Sequence, residues 1–109
     1  MVLERALLNV GSRVGKCAIV NSGVIIEHDC SVGDFVHLAV GAIIYGGVQI
    51  DANCVICARA KVLQYKKNAE NCLVAAGSVV IKDIVREGIY FGIPAVKSEF
   101  NNSFKPFIR

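Results

Sequence analysis

The chain has 109 residues, with 12 Lys or Arg against 9 Asp or Glu for a net charge of +3, 54% hydrophobic residues and a mean hydropathy of +0.52. This length fits one domain, and so apolar a composition excludes an intrinsically disordered chain. The mild charge, clustered only at Arg59, Lys61, Lys66 and Lys67, argues against a nucleic-acid binder, and the longest uncharged stretch, Phe35 to Ile50, is too short and too interrupted by His37, Gly41, Gly46, Gly47 and Gln49 for a membrane-spanning helix.

Met1 to Val10 carries Glu4 and Arg5 ahead of a short apolar run without a small-residue cleavage pattern, so no secretory signal is expected and a cytoplasmic location is. The five cysteines (Cys17, Cys30, Cys54, Cys57, Cys72) are odd in number and contain a single C-x-x-C pair with no second pair or nearby histidines. They are expected to be reduced, mostly buried thiols, with no metal site.

The dominant pattern is a hexapeptide period. Steps of six from Leu8 give Leu8, Val14, Val20, Ile26, Val32, Leu38, Ile44, Ile50, Ile56, Val62, Asn68, Val74 and Val80, of which only Asn68 is not Leu, Ile or Val. Four positions after each lies a second column, Ser12, Ala18, Val24, Cys30, Val36, Ala42, Val48, Cys54, Ala60, Lys66, Cys72 and Ser78, in which all but Lys66 are small or β-branched. The residue after the aliphatic one is often Gly, Asn, Asp or Glu (Asn9, Gly15, Asn21, Glu27, Gly33, Asp51), which suggests a bend with positive φ there.

A small residue and the next aliphatic one are two apart, so both face one side of a short strand, and the remaining residues must turn the chain. Repeated turns of one sense close into a prism with continuous inward stacks, a parallel β-helix. With three hexapeptides per turn, positions three hexapeptides apart stack, and the repeats make about four coils. The period weakens at Val62 to Asn71, where a bulging loop or exposed corner is expected at Gln64 to Asn68, and it resumes at Val74 to Val80. After Asp83 it ends. Gly88 to Pro94 reads as a final extended turn, and Phe100, Phe104 and Phe107 have helical spacing in a tail interrupted by Pro106.

The hexapeptide repeat, the segment Asn21 to Gly46 with its Glu27-His28-Asp29-Cys30 corner followed by His37, and the closing Val80-Ile81-Lys82-Asp83 and Gly92-Ile93-Pro94-Ala95 resemble the left-handed β-helix acyltransferases. They are most similar to the sialic-acid O-acetyltransferase and bacillosamine-type UDP-amino-sugar N-acetyltransferase group. The resemblance covers about Leu7 to Lys97. It implies an all-β, left-handed parallel β-helix, an acetyl-CoA-dependent acetyltransferase without a metal, a sugar amine or hydroxyl as acceptor, and a homotrimer with no nucleic-acid or membrane partner. The chain is expected to be one β-helix domain over 1–109, with coils at 7–85 and a closing turn and tail at 86–109, lacking the N-terminal nucleotide-sugar-binding domain of the group.

Acyl transfer from a thioester needs a base for the nucleophile and a donor for the developing oxyanion. His28, at a corner, is the expected base, and Asp29 its orienting carboxylate. Gly46, stacked one coil further on, leaves open space and a backbone N–H beside the imidazole. The resemblance further implies acetyl-CoA contacts from His37, Gly46, Ala58, Ala76 and Gly77 and acceptor positioning by Asn21. Cys30 lies in the inward column and is not expected to act as a nucleophile. The alternative reading is a catalytically inactive trimeric scaffold or truncated fragment of the family. A zinc enzyme would need three histidine ligands where this chain has two.

Overall fold

The computed structural model describes residues 1–2 and 6–98, and among them all regular structure is strand. In chain order the strands are β1 (Leu7–Leu8), β2 (Arg13–Val14), β3 (Ile19–Val20), β4 (Ile25–Ile26), β5 (Ser31–Val32), β6 (His37–Leu38), β7 (Ile43–Ile44), β8 (Gln49–Ile50), β9 (Val55–Ile56), β10 (Lys61–Val62), β11 (Lys67–Asn68), β12 (Cys72–Val74), β13 (Val79–Val80), β14 (Gly88–Phe91) and β15 (Val96–Lys97). They form three sheets. Sheet I runs β1-β4-β7-β10-β13, sheet II β2-β5-β8-β11, and sheet III β3-β6-β9-β12-β14-β15.

Every pair among the repeats is parallel and offset by three hexapeptides, as in Ile25 against Ile43, Ser31 against Gln49 and His37 against Val55. Three hexapeptides therefore make one coil, and the fold is the expected parallel β-helix. The stack is about five coils deep, against the four expected. The extra depth comes from beyond the Leu8 to Val80 columns. Val2 bridges to Val20 above sheet III, and Gly88–Phe91, expected to be a turn, pairs with β12 in a register two positions short of a full coil (Leu73 against Ile89). β15 then folds back antiparallel on β14 and covers that edge. Residues Phe100, Phe104 and Phe107 lie outside the described residues.

In the two-residue strands of the repeat from β3 onward the first side chain points out and the second in, which is the period-2 rule confined to one step. The inward aliphatic column is closed: Ile26, Leu38, Ile44, Ile56, Val62 and Val74 are all fully buried. Each such side chain contributes roughly 1.5 to 3 kcal/mol relative to an exposed one. The small column is buried beside it, and its three cysteines donate to carbonyls of the following coil: Cys30 Sγ to Tyr45 O at 3.0 Å, Cys54 Sγ to Ala69 O at 3.0 Å and Cys72 Sγ to Arg86 O at 3.3 Å. Only at the first coil does the column open, with Leu8 at 43% exposure.

Two expectations are corrected. The left-handed corner residue is not the one after the aliphatic position. It comes three positions after it, as at Gly11 (φ 78°), Asp29 (58°), Gly47 (69°), Asn53 (59°) and Tyr65 (62°). Asn9 and Asn21 instead accept the next backbone N–H on Oδ1, and Gly33 is small because a β-carbon there would stand 2.8 Å from Ala52 N of the next coil. The second concerns Gln64 to Asn68, where of the two forms expected there is no bulge, and the exposed corner is present at Gln64–Tyr65. Lys67–Asn68 keeps register with Gln49–Ile50, and Asn68 points inward at 1% exposure. The backbone ladder holds the register, so the column accommodates an amide of similar volume to its aliphatic neighbours.

That amide is poorly served: Nδ2 reaches Cys54 Sγ at 3.7 Å, and Oδ1 is buried without a partner among the described residues. Asn68→Val should therefore stabilise the fold by about 1 kcal/mol, read as a higher midpoint in thermal or urea unfolding. A lower midpoint would mean that Oδ1 is satisfied in solution. For the thiols, Cys17 is exposed, burial pushes the half-buried Cys57 up, and Cys30, also raised by burial, lies in the core with Cys54 and Cys72. A thiol reagent should modify Cys17 first, Cys57 more slowly, and all five only on unfolding without reductant; a total below five would refute the free-thiol state.

Candidate functional site

Corners one coil apart stack as the strands do. The edge between sheets I and II carries Val10–Gly11, His28–Asp29, Gly46–Gly47 and Gln64–Tyr65, tied by Asp29 N–H to Val10 O (3.0 Å), Gly47 N–H to His28 O (2.9 Å) and Tyr65 N–H to Gly46 O (2.9 Å).

On this edge His28 Nδ1 lies 3.2 Å from Asp29 Oδ2, with the two side chains 50% and 72% exposed. The carboxylate fills the space above Gly11, where a side chain would collide with it. With Nδ1 held, Nε2 is the free nitrogen of the ring, and it hangs over Gly46: a β-carbon on that glycine would stand 2.7 Å from Nε2 and 2.9 Å from Cε1. Any side chain at position 46 displaces the imidazole. At equivalent corner positions the N–H groups of Val10, Ser22 and Lys16 are capped by Asn9, Asn21 and Asp34 side chains. Gly46 follows Tyr45 instead, and no group among the described residues accepts its N–H. A proton acceptor and a backbone donor thus lie side by side on an open edge. This is the minimum that acyl transfer requires.

The other expected site residues lie elsewhere. Ala58, Ala76 and Gly77 share the edge between sheets III and I, stacked below Ser22–Gly23 and Val40–Gly41; all three are exposed, and a β-carbon on Gly77 would meet nothing within 4 Å. Asn21 stands at the upper end of that edge, its Oδ1 accepting Ser22 N–H at 2.8 Å. His37 is in β6 on the outer face of sheet III between Ile19 and Val55, half-buried, with Nε2 fully covered and without a hydrogen-bond partner among the described residues. The chain therefore brings together His28, Asp29 and Gly46 and leaves the width of sheet I between them and the small-residue edge.

Tyr65 is a site neighbour that the sequence reading missed. The bulge expected at Gln64 to Asn68 hides it, although its place exactly one coil beyond Gly47 marks it as part of the His28 edge. Cys30 is buried, as expected for an inward filler. Among the described residues no three His, Cys, Asp or Glu side chains gather as metal ligands.

No model of a known protein family matches the chain. Over 74 residues it is 31% identical to an acyl-[acyl-carrier-protein]–UDP-N-acetylglucosamine O-acyltransferase of Campylobacter concisus, a match that takes in 68% of this chain and 28% of that protein. It is also similar to PerB from Caulobacter crescentus, solved in complex with CoA and GDP-perosamine, at 27% identity and a TM-score of 0.77, covering 89% of this chain and 53% of that one. A third likeness is to the acetyltransferase domain of PglB from Neisseria gonorrhoeae in complex with acetyl coenzyme A, at 26% identity and a TM-score of 0.64, with the same coverage of 89% and 53%. The chain spans about half the length of these solved relatives and just over a quarter of the curated one. In its repeat, its fold and its sequence likeness, this chain is a hexapeptide-repeat β-helix whose homologues are acyltransferases.

Proposed function

We propose that the chain is an acetyl-CoA-dependent acetyltransferase whose acceptor is an amine or hydroxyl of a sugar, a UDP-amino-sugar or sialic acid being the expected classes. The observation that carries this reading is the juxtaposition of His28 Nε2 with the bare backbone of Gly46 while Asp29 holds Nδ1. The relatives that bind CoA, acetyl-CoA or a nucleotide-linked amino sugar support it.

In this reading His28 Nε2 accepts the proton of the acceptor nitrogen or oxygen as that atom attacks the thioester carbonyl. Asp29 fixes the tautomer in which Nε2 carries the lone pair and stabilises the imidazolium that forms. The Gly46 N–H donates to the carbonyl oxygen as it gains charge. The imidazolium then protonates the departing CoA sulfur, which restores the base. Attack is direct, and no metal enters any step. His37 and the shelf of Ala58, Ala76 and Gly77 contact acetyl-CoA, and the Asn21 amide, whose Nδ2 is left over from its turn hydrogen bond, meets the acceptor.

The outer faces of the prism support a homotrimer. Sheet II presents exposed Arg13, Ser31, Gln49 and Lys67, whereas sheet I presents Leu7, Ile25, Ile43 and Val79 around Lys61, and sheet III presents Ile19, Val55, Leu73 and Ile89 around His37. Two apolar faces on one prism suit a closed ring in which face I of one copy meets face III of the next. Such packing gathers the small-residue edges about the three-fold axis and sets the His28 edge of one subunit beside the edge between sheets II and III of the next.

Two measurements test the reading. With nucleotide-linked amino sugars as acceptors, His28→Ala should lower turnover about 10²-fold or more with acetyl-CoA affinity nearly unchanged, Gly46→Ala should reproduce the rate loss by displacing the imidazole, and His37→Ala should weaken acetyl-CoA binding instead. An unchanged rate for His28→Ala would make the histidine only a corner residue and remove the proposed active site, and no acetyl-CoA-dependent rise in melting temperature for the parent protein would leave an inactive scaffold as the description. Light scattering should give three times the 11.7 kDa chain mass, and Ile43→Glu should reduce it; a monomer at micromolar concentration would contradict the trimer.

A further inference from the structure

Tyr65 lies on the same edge as His28, two coils further on, with Gly46 and Gly47 between them. Its ring is laid against Gly47, whose missing side chain leaves the room: a β-carbon there would stand 2.7 Å from Tyr65 Cε1 and 3.5 Å from Cγ. From the other side His28 covers Gly46. Adjacent Cα atoms are 3.8 Å apart, so the imidazole Nε2 and the phenol ring are separated by no more than about 12 Å across one Gly-Gly step. A six-membered sugar ring resting on the phenol therefore lies within reach of the imidazole.

The phenol serves no evident need of the fold. Its residue is 69% exposed, and among the described residues its hydroxyl makes no hydrogen bond. Its backbone is left-handed at φ 62°, a corner position that Gly, Asn or Asp fills at eight of twelve equivalent turns, for example Gly47, Asn53 and Asn71. A bulky residue is costly there. What the placement achieves is an aromatic face backed by bare main chain and open to solvent beside the proposed base.

We propose that Tyr65 is a specificity-determining residue: its ring is the platform on which the pyranose ring of the acceptor stacks while the acceptor's amine or hydroxyl is presented to His28. A pyranose presents C–H bonds on its flatter face, and these meet the electron-rich face of an aromatic ring favourably while the hydroxyls remain in water. The proposal rests on the acetyltransferase reading above and goes beyond it by assigning the acceptor ring to a named side chain. The platform recognises a ring, so an acyclic amine gains nothing from it.

The test compares the parent protein with Tyr65→Asn, which suits the left-handed corner as Asn53 and Asn71 do, and with Tyr65→Phe, which keeps the ring. The readout is CoA release with a panel of sugars made up of sialic acid and nucleotide-linked amino-hexoses, GDP-perosamine among them, and with ethanolamine as the acyclic comparator. Tyr65→Asn is expected to raise KM for the sugar acceptor about tenfold with KM for acetyl-CoA unchanged, Tyr65→Phe to match the parent, and the ethanolamine rate to be the same in all three. Melting curves accompany each variant, and Tyr65→Gly replaces Tyr65→Asn should the latter fail to fold. An unchanged sugar KM in a ring-less variant, or a rise in KM for acetyl-CoA instead, overturns the platform while leaving the acetyltransferase reading intact. Altered inhibition by free GDP without a change for the sugar likewise overturns it, by assigning the ring to a base. Absence of transfer by the parent to every sugar overturns the acetyltransferase reading itself, and the platform with it.

Discussion

Everything in this molecule depends on the three-hexapeptide register of its backbone ladder. A coil of three hexapeptides returns the chain to its starting direction, and the inter-coil hydrogen bonds lock each residue over its counterpart one coil earlier. Because the lock belongs to the main chain, it fixes side chains of every kind. It stacks Ile26 on Ile44 in the core, and it also stacks His28 on Gly46 at the edge. The geometry of the candidate site is thus a by-product of how the core is built. The glycine beneath the imidazole is demanded by sterics, and the N–H it exposes follows from the corner it occupies.

The same register gives the prism three faces and three edges that differ in chemistry. Sheet II is polar outside, sheets I and III are apolar, and the histidine edge and the small-residue edge border sheet I from opposite sides. A single coil spreads its functional groups around its circumference because each edge receives only one turn in three. Groups on different edges of one chain are thus held apart, because the inward columns fill the prism with side chains.

Much of this was legible in the sequence. The aliphatic and small columns carry the coil length, the inward face and the stacking of Gly46 under His28, because burial enforces one residue type per position over a dozen repeats. Corners are less legible. Turn residues are chosen for positive φ, for capping or for close approach, and these needs produce overlapping sets of Gly, Asn and Asp, so Gly33 resembles a bend although it is a point of backbone contact. Asn68 resembles a break because polarity suggests exposure, whereas the ladder holds it inward. Gly88–Phe91 escapes notice because its register, two positions short of a coil, falls off the period, and Tyr65 because an exposed aromatic carries no periodic signal. The separation of Ala58, Ala76 and Gly77 from His28 was implicit in the arithmetic of the period, since none of the three stands a whole number of coils from position 28.

The open first coil has a mechanical consequence. Coils touch only the coil before and the coil after, so order in such a stack is lost from the ends inward, as fraying. Leu8 is already 43% exposed at the top, while the inward residues of the coils that carry His28 and Gly46, Ile26 and Ile44, are fully enclosed. The coil around Leu8 therefore opens at lower cost than the enclosed coils beneath it, and the pairing of imidazole and glycine, carried on those enclosed coils, persists through such local opening.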